Sequence, residues 1–196
     1  MRATGVSVSG ICGFAVALLL AACGGGGGGG GGPVSSLALF AGDMGGIGNV
    51  DGVGAAARFA GPSGVATDSA GNVYVGDTHN HTIRKITSAG VVSTLAGTAG
   101  VIGSTDATGA AASFNFPEGV ATDSAGNVYV ADTRNHTIRK VTPAGAVSTV
   151  VGVAGQAGFA PGTLAGLLST PHGVAVSGTS LYITLYNGVA VVQDRP

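Results

Sequence analysis

Three residues occupy the same place in three Pro-x-Gly triplets: Ser63 in Pro62-Ser63-Gly64, Glu118 in Pro117-Glu118-Gly119 and His172 in Pro171-His172-Gly173. Glu118 is the only glutamate in the chain. A carboxylate and an imidazole brought together can exchange a proton with a ligand or hold a divalent cation, and Ser63 would add a hydroxyl. As a catalytic zinc set they fall short, because such sites use about three N, O or S ligands and an open position. His79 and His81 form a His-x-His pair that on a strand would aim both rings at one face and hold a metal. In the second copy Arg134 replaces His79 and leaves only His136, so a surface-loop role is expected. Asp68, Asp77, Asp123 and Asp132 offer carboxylates to calcium, which takes about six to eight oxygens, but no stretch has the spacing of a calcium loop. Their expected role is structural, since Asp at a strand end accepts backbone N–H bonds and fixes a turn. A nucleophile elbow and a cysteine nucleophile are both missing from the pattern.

These residues sit in a repeat. Gly64 to Gly97 and Gly119 to Gly152 are identical at 27 of 34 positions and lie 55 residues apart. A period of that order marks one supersecondary unit stacked on copies of itself. In the second copy, β character is expected over Gly119 to Asp123, Val128 to Asp132, Thr137 to Thr142 and Ala146 to Val151. Ser124-Ala125-Gly126-Asn127 and Pro143-Ala144-Gly145 separate the outer pairs, each with a glycine for the positive φ of a tight hairpin. Val128-Tyr129-Val130 is apolar on both faces, which suits a strand covered on both sides. A third unit, from Pro171 through Leu181-Tyr182-Ile183 to Val192, keeps the strand spacing but places Ser177 and Leu185 where Asp123 and Asp132 stand.

A radially repeated four-stranded meander is a β-propeller blade. The runs Pro-x-Gly-Val-Ala-x-Asp, Gly-Asn-x-Tyr-Val-Ala-Asp and Asn-His-x-Ile-Arg-Lys of this unit resemble the NHL repeat. The fold class expected is therefore all-β, with about three NHL-type blades. Leu37 to Gly42 reads as the fourth strand of a further unit, and could close the third blade by joining the chain's ends. Known rings use about four to eight blades, so three pose a difficulty. A homodimer completing a ring of six is one answer and an incomplete ring from a partial sequence the other. The resemblance implies that Ser63, Glu118 and His172 open onto the central channel. It further implies an alternative in which Glu118 and His172 bind zinc or calcium there, as in related propeller lyases and lactonases.

Linkers of about 20 residues, Asp43 to Ser63, Thr98 to Glu118 and Val153 to His172, join the units, and connections of that length are often functional. The first two share Asp-x-x-Gly-Ala-Ala-Ala-x-Phe, whose Phe59 and Phe114 are expected to plug the space under the loop. Gly45, Gly46 and Gly48 suggest a phosphate loop only weakly, with no helix pattern after them.

Upstream, residues 1–22 read as a secretory signal. Their apolar run, Ile11 to Leu20, is about a dozen residues, short of the roughly 20 that span a bilayer. Leu20-Ala21-Ala22-Cys23 resembles the lipobox of bacterial lipoproteins, which implies an acylated Cys23. Residues 23–35 then form a tether with nine consecutive glycines, residues 36–192 the blades and 193–196 a tail. Eight basic against nine acidic residues give no excess to neutralise nucleic-acid phosphates. The expectation from sequence is a membrane-tethered, non-catalytic module of the bacterial envelope that binds protein, peptide or glycan and has no cofactor.

Overall fold

The computed structural model describes residues 37–160 and 166–193. The signal segment, Cys23 and the glycine tether lie outside the described residues. No helix among the described residues is long and apolar enough to cross a membrane.

The described residues are all-β, in three successive antiparallel sheets, each a propeller blade. The first comprises β1 (Gly52–Val53), β2 (Pro62–Thr67), β3 (Val73–Asp77), β4 (Thr82–Ile86) and β5 (Val91–Ala96), in spatial order β1-β5-β4-β3-β2. The second comprises β6 (Pro117–Thr122), β7 (Val128–Asp132), β8 (Thr137–Val141) and β9 (Val147–Val151), paired in sequence order. The third has three strands, β10 (Gly173–Ser177), β11 (Ser180–Leu185) and β12 (Gly188–Val192). The expected strands of the second copy are met within two residues at each end. Gly126 and Gly145 turn the hairpins with φ of 78° and 81°, as their lack of a Cβ permits. Every residue of β7 is buried, because the neighbouring sheets cover both its faces.

Two expectations are corrected. Residues 37–42 form no strand and do not close the third blade, which remains three-stranded. Their apolar side chains, Leu39 and Phe40 among them, stay exposed because no sheet edge lies beside them. The first linker also contributes a strand: β1 pairs with β5, Gly52 opposite Val92, and makes the first sheet five-stranded.

Inner strands β2, β6 and β10 lie side by side, and their spacing depends on glycine. A Cβ built on Gly64 would stand 2.2 Å from the Glu118 carbonyl oxygen, and one on Gly119 would stand 2.3 Å from that of His172. No side chain fits at such separations, so the Pro-x-Gly triplet recurs. Thr78 and Thr133 hydroxyls add the same link twice, donating to the carbonyls of Pro117 at 2.7 Å and Pro171 at 2.8 Å.

What fixes each of the first two long linkers is a buried ion pair. Asp132 and Arg139 are fully buried, 2.9 Å apart, as are Asp77 and Arg84 at 2.8 Å. Asp132 also accepts the Asn115 N–H and the Asn135 amide. Arg139 donates onward to the carbonyls of Ser113 and Thr105 and to Asp106, so it grips the linker at several points. Its guanidinium lies 5.1 Å over the buried Phe114 ring, and Arg84 lies 4.9 Å over Phe59. The two Phe side chains are the packing plugs expected, with a cation on their faces. Asp68 and Asp123 play the smaller role foreseen for all four acids: Asp123 accepts the N–H groups of Ala125 and Asn127 and holds one hairpin.

Asp132→Ala should therefore cost about 3–5 kcal/mol, the usual result of stranding a buried charge, whereas Asp132→Leu with Arg139→Met should recover most of that loss. Asp123→Ala, which removes hairpin bonds and a long bond from the Tyr129 hydroxyl but strands no buried charge, should cost about 1 kcal/mol. Urea titrations of the three variants provide the comparison, and an Asp132→Ala midpoint equal to that of Asp123→Ala would remove the ion pair from its assigned place.

Candidate functional site

The first strand of each complete blade carries an irregularity where the copies differ. Register shifts between Pro62 and Val65 in β2 and between Pro117 and Val120 in β6, so Ser63 and Glu118 sit in bulges. A bulge re-aims a side chain away from the regular alternation of the strand. His172 immediately precedes β10, where its N–H donates to the Thr184 carbonyl at 2.9 Å.

Close packing of the inner strands brings two of the three residues together. His172 Nδ1 lies 2.7 Å from Glu118 Oε2, with both side chains partly exposed. Ser63 is one blade further back, where its exposed hydroxyl is hydrogen-bonded to that of Thr78 and touches neither. The pair offers one carboxylate and one imidazole, already bonded to one another. Among the described residues no group of three or more His, Cys, Asp or Glu side chains is placed to hold a metal. Two donors do not fit a catalytic zinc, which takes about three protein ligands.

Beside this pair lies a cluster that sequence reasoning identified in part. Arg134, singled out because it differs between the copies, stacks over the Phe116 ring with its guanidinium carbon 3.7 Å from the centroid. Phe116, two residues before Glu118, was missed; the signal available was Gly61 in the corresponding place. At Gly61 a Cβ would meet His79 Nδ1 at 2.6 Å, whereas in the second copy an aromatic ring occupies that place and Arg134 covers it. The residue pairs Gly61/His79 and Phe116/Arg134 thus vary together for steric reasons. Exposed Arg134 and His79 and the half-buried Phe116 form an amphipathic surface next to Glu118. Such a surface can stack a ring or sugar face and pair with an anion.

His79 and His81 do not share a strand face. Thr78–Asn80 is a 3-10 turn, and His81 follows it in the left-handed region, with φ of 60°. His79 is exposed, but His81 is buried, contrary to the surface role expected. His81 Nδ1 accepts the Phe116 N–H at 3.1 Å, and its ring meets Phe116 edge-on at 4.8 Å. His136 repeats the arrangement, accepting the Thr170 N–H at 3.1 Å. These rings fasten the first and second blades to the linker that follows each. The amides of the glycine-rich first linker are likewise used internally: Gly45 donates to Asp43 and Gly48 to Phe59, leaving neither for a phosphate.

Burial lowers the His81 pKa from its ordinary 6.5, with Arg134 and His79 adding repulsion. Burial pushes the Asp132 carboxyl up, to about 6, against the Asn115 N–H, Asn135 and Arg139, which favour its ionised form.

Residues 59–86 and 114–141 match the NHL repeat. The chain is 39% identical over 95 residues to NHL repeat-containing protein 2 of Homo sapiens, across 47% of this chain and 13% of that protein. A solved structure from Bacteroides thetaiotaomicron superposes with a TM-score of 0.57 at 28% identity, over 62% of this chain and 33% of that one. An auxiliary nutrient binding protein from Bacteroides ovatus superposes with a TM-score of 0.59 at 19% identity, over 72% and 40% respectively. The chain thus spans about an eighth of the length of the human relative and well under half of the two structures. Both matched spans fall within the two complete units, and the third sheet continues the same stack in a divergent sequence.

The lowered His81 value makes a signed prediction. A histidine whose folded pKa is depressed contributes stability that is present above about 6.5 and lost as pH falls below it toward the folded value, each unit of difference being worth about 1.4 kcal/mol. Asp132 acts oppositely: its contribution is present at low pH and lost as pH rises from its unfolded value near 3.8 toward about 6. The His81→Asn variant isolates the first effect, because Asn tolerates the left-handed region and its amide oxygen can accept the Phe116 N–H. Between pH 7 and pH 5 the parent's melting temperature should fall further than that of the variant; parallel profiles would show that His81 does not titrate against folding.

Proposed function

We propose that this chain is a non-catalytic binding or scaffold module of the bacterial envelope, tethered to a membrane through an acylated Cys23. Its partner, a protein, peptide or glycan, would lie on the face formed by Ser63, Glu118 and His172 with Phe116 and Arg134. The observation that carries this reading is where the two complete repeats differ. Their buried acids, Arg-Lys runs and turn glycines are the same, whereas the exposed side chains at the starts of the inner strands change from hydroxyl to carboxylate to imidazole. A blade needs the first set to fold, and a ligand is what would discriminate among the second. A description as an auxiliary nutrient binding protein, carried by the Bacteroides ovatus structure, belongs to the same functional class.

A second reading, a metal-dependent lyase or lactonase using zinc or calcium, is favoured by one observation: Glu118 and His172 lie 2.7 Å apart. The donor set above is too small for it, so the binding module is preferred.

Two measurements separate the readings. Metal analysis of the purified chain and of His172→Ala should give the same substoichiometric zinc and calcium; a stoichiometric ion lost in the variant would establish the metal site. On peptide and glycan arrays, Glu118→Gln combined with Arg134→Ala should weaken the strongest signals about tenfold or more, since a hydrogen bond to a charged group is worth about 1.5–3 kcal/mol. The tether has its own check: Cys23→Ser should move the chain from the membrane fraction to the soluble one, and unchanged partitioning would assign attachment to something other than acylation.

A further inference from the structure

We propose that a second copy of this chain completes the sheet left open at β12, the two copies closing into one ring of six blades. The repeats supply an internal measure of what is uncovered. Val120, on the face of the second sheet that meets the first, is 7% exposed, while its counterpart Val65 in the first sheet is 66% exposed. At the other end, Tyr74 and Tyr129 are each 1% exposed, and Ile83 and Ile138 are fully covered by the sheet that follows. The third sheet places Tyr182 and Val189 in those positions, where they are 45% and 71% exposed. Sheet pairing fixes the correspondence, since Val189 faces Thr184 as Ile83 faces Gly76 and Ile138 faces Ala131. Both end faces therefore present apolar side chains at positions that a blade covers elsewhere in the same chain.

The occupant is indicated by residues 38–42. The 55-residue offset maps Ser93 to Gly97, the end of β5 and its glycine, onto Ala38 to Gly42. Position agrees with sequence: Gly42 N–H donates to the Gly54 carbonyl at 3.0 Å as Gly97 does to Gly109 at 3.1 Å. This segment already rests on the first sheet where the outer strand of a preceding blade would rest, yet it belongs to no sheet. The third sheet has the complementary defect. Among the described residues its outer edge at β12 has no partner strand, and it borders an apolar recess of about 340 Å³ lined by Val151, Phe159, Leu167, Ile183 and Val189.

One contact satisfies both defects. With the third sheet of one copy seated on the first sheet of the other, Ala38 to Gly42 becomes the fourth strand beside β12 without leaving its place. The register follows from β4 and β5, where Ile83 pairs with Ala96, Arg84 with Thr94 and Lys85 with Ser93. Between copies this becomes Val189 with Ala41, Ala190 with Leu39 and Val191 with Ala38. Used twice about a two-fold axis, the contact closes and covers both exposed end faces. Two copies of three blades fall within the roughly four to eight of known rings, whereas three copies would not. The row of Ser63, Glu118 and His172 would then continue into the second copy, so a ligand face would be complete only in the dimer.

Light scattering on the protein in detergent, corrected for detergent mass, should give twice the mass of one chain at all loading concentrations. Val189→Asp should give the single-chain mass with an unchanged β-sheet circular dichroism spectrum. Should that variant unfold, trapping decides independently. Ala38→Cys with Val191→Cys, in a Cys12→Ser and Cys23→Ser background, should oxidise to a covalent two-chain species. A single-chain or higher-order mass for the parent, or a bridge between positions 38 and 191 within one chain, would overturn the proposal.

Discussion

A carboxylate and a guanidinium withdrawn together from water govern the architecture of each complete blade. Asp77 with Arg84, and Asp132 with Arg139, lie in a chain of which only 9% of residues are charged. Removing either ion from water is expensive, and the cost is offset through the partners found by the carboxylates and by both terminal nitrogens of each arginine, only the buried Nε of Arg84 and Arg139 staying unpartnered. The partners come from elsewhere in the chain: Ala60 and Asn115 N–H groups, the carbonyls of Val50 and Thr105, and the exposed carboxylates of Asp51 and Asp106. A linker of about 20 residues is thereby wrapped around one guanidinium, which explains how connections without extended regular structure hold a fixed course.

That constraint determines where the sequence is free to vary. Inside the repeat, substitution must preserve an ion pair, an Asx hairpin, a left-handed histidine and an inner strand whose backbone passes too close to its neighbour for a side chain. Apart from small apolar and turn exchanges such as Ile86/Val141 and Ser88/Pro143, what varies is the residue squeezed out by the bulge, Ser63 or Glu118, and the pair formed by the residue before the proline and the one opposite it in the 3-10 turn. The third sheet lacks the ion pair, with Leu185 in the acid's place, and turns from β11 to β12 through Tyr186 and Asn187. It is held instead by Leu181 and Ile183 against Tyr129, Ile138 and Val151. Hydrophobic packing thus takes the place of the ion pair in the last sheet.

Much of the fold was legible before the structure. The 55-residue period, hairpin glycines and doubly apolar Val128-Tyr129-Val130 each reflect local geometry, and local geometry is written locally. The part played by Asp51 and Asp106 was less visible. Their motif was plain, but its partner lies 33 residues away, and periodicity does not say which of several repeated charges meet. His81 was misread for a related reason. A surface-loop role was expected of the His-x-His pair, and the loop residues do not reveal that the 3-10 turn rotates one ring into the junction with Phe116.

By itself, then, the sequence determined the repeat, the strands of each complete copy and the positions where chemistry changes from copy to copy. Only the tertiary structure decided which of those positions meet. Glu118 and His172 are 54 residues apart and touch because two glycines allow adjacent inner strands to pack backbone to backbone, while Ser63, equivalent in sequence, is drawn to Thr78 instead. It also decided that Ala38 to Gly42 does not reach β12. Strand character is a property of a segment, whereas the edge a strand pairs with is a property of how whole sheets are placed.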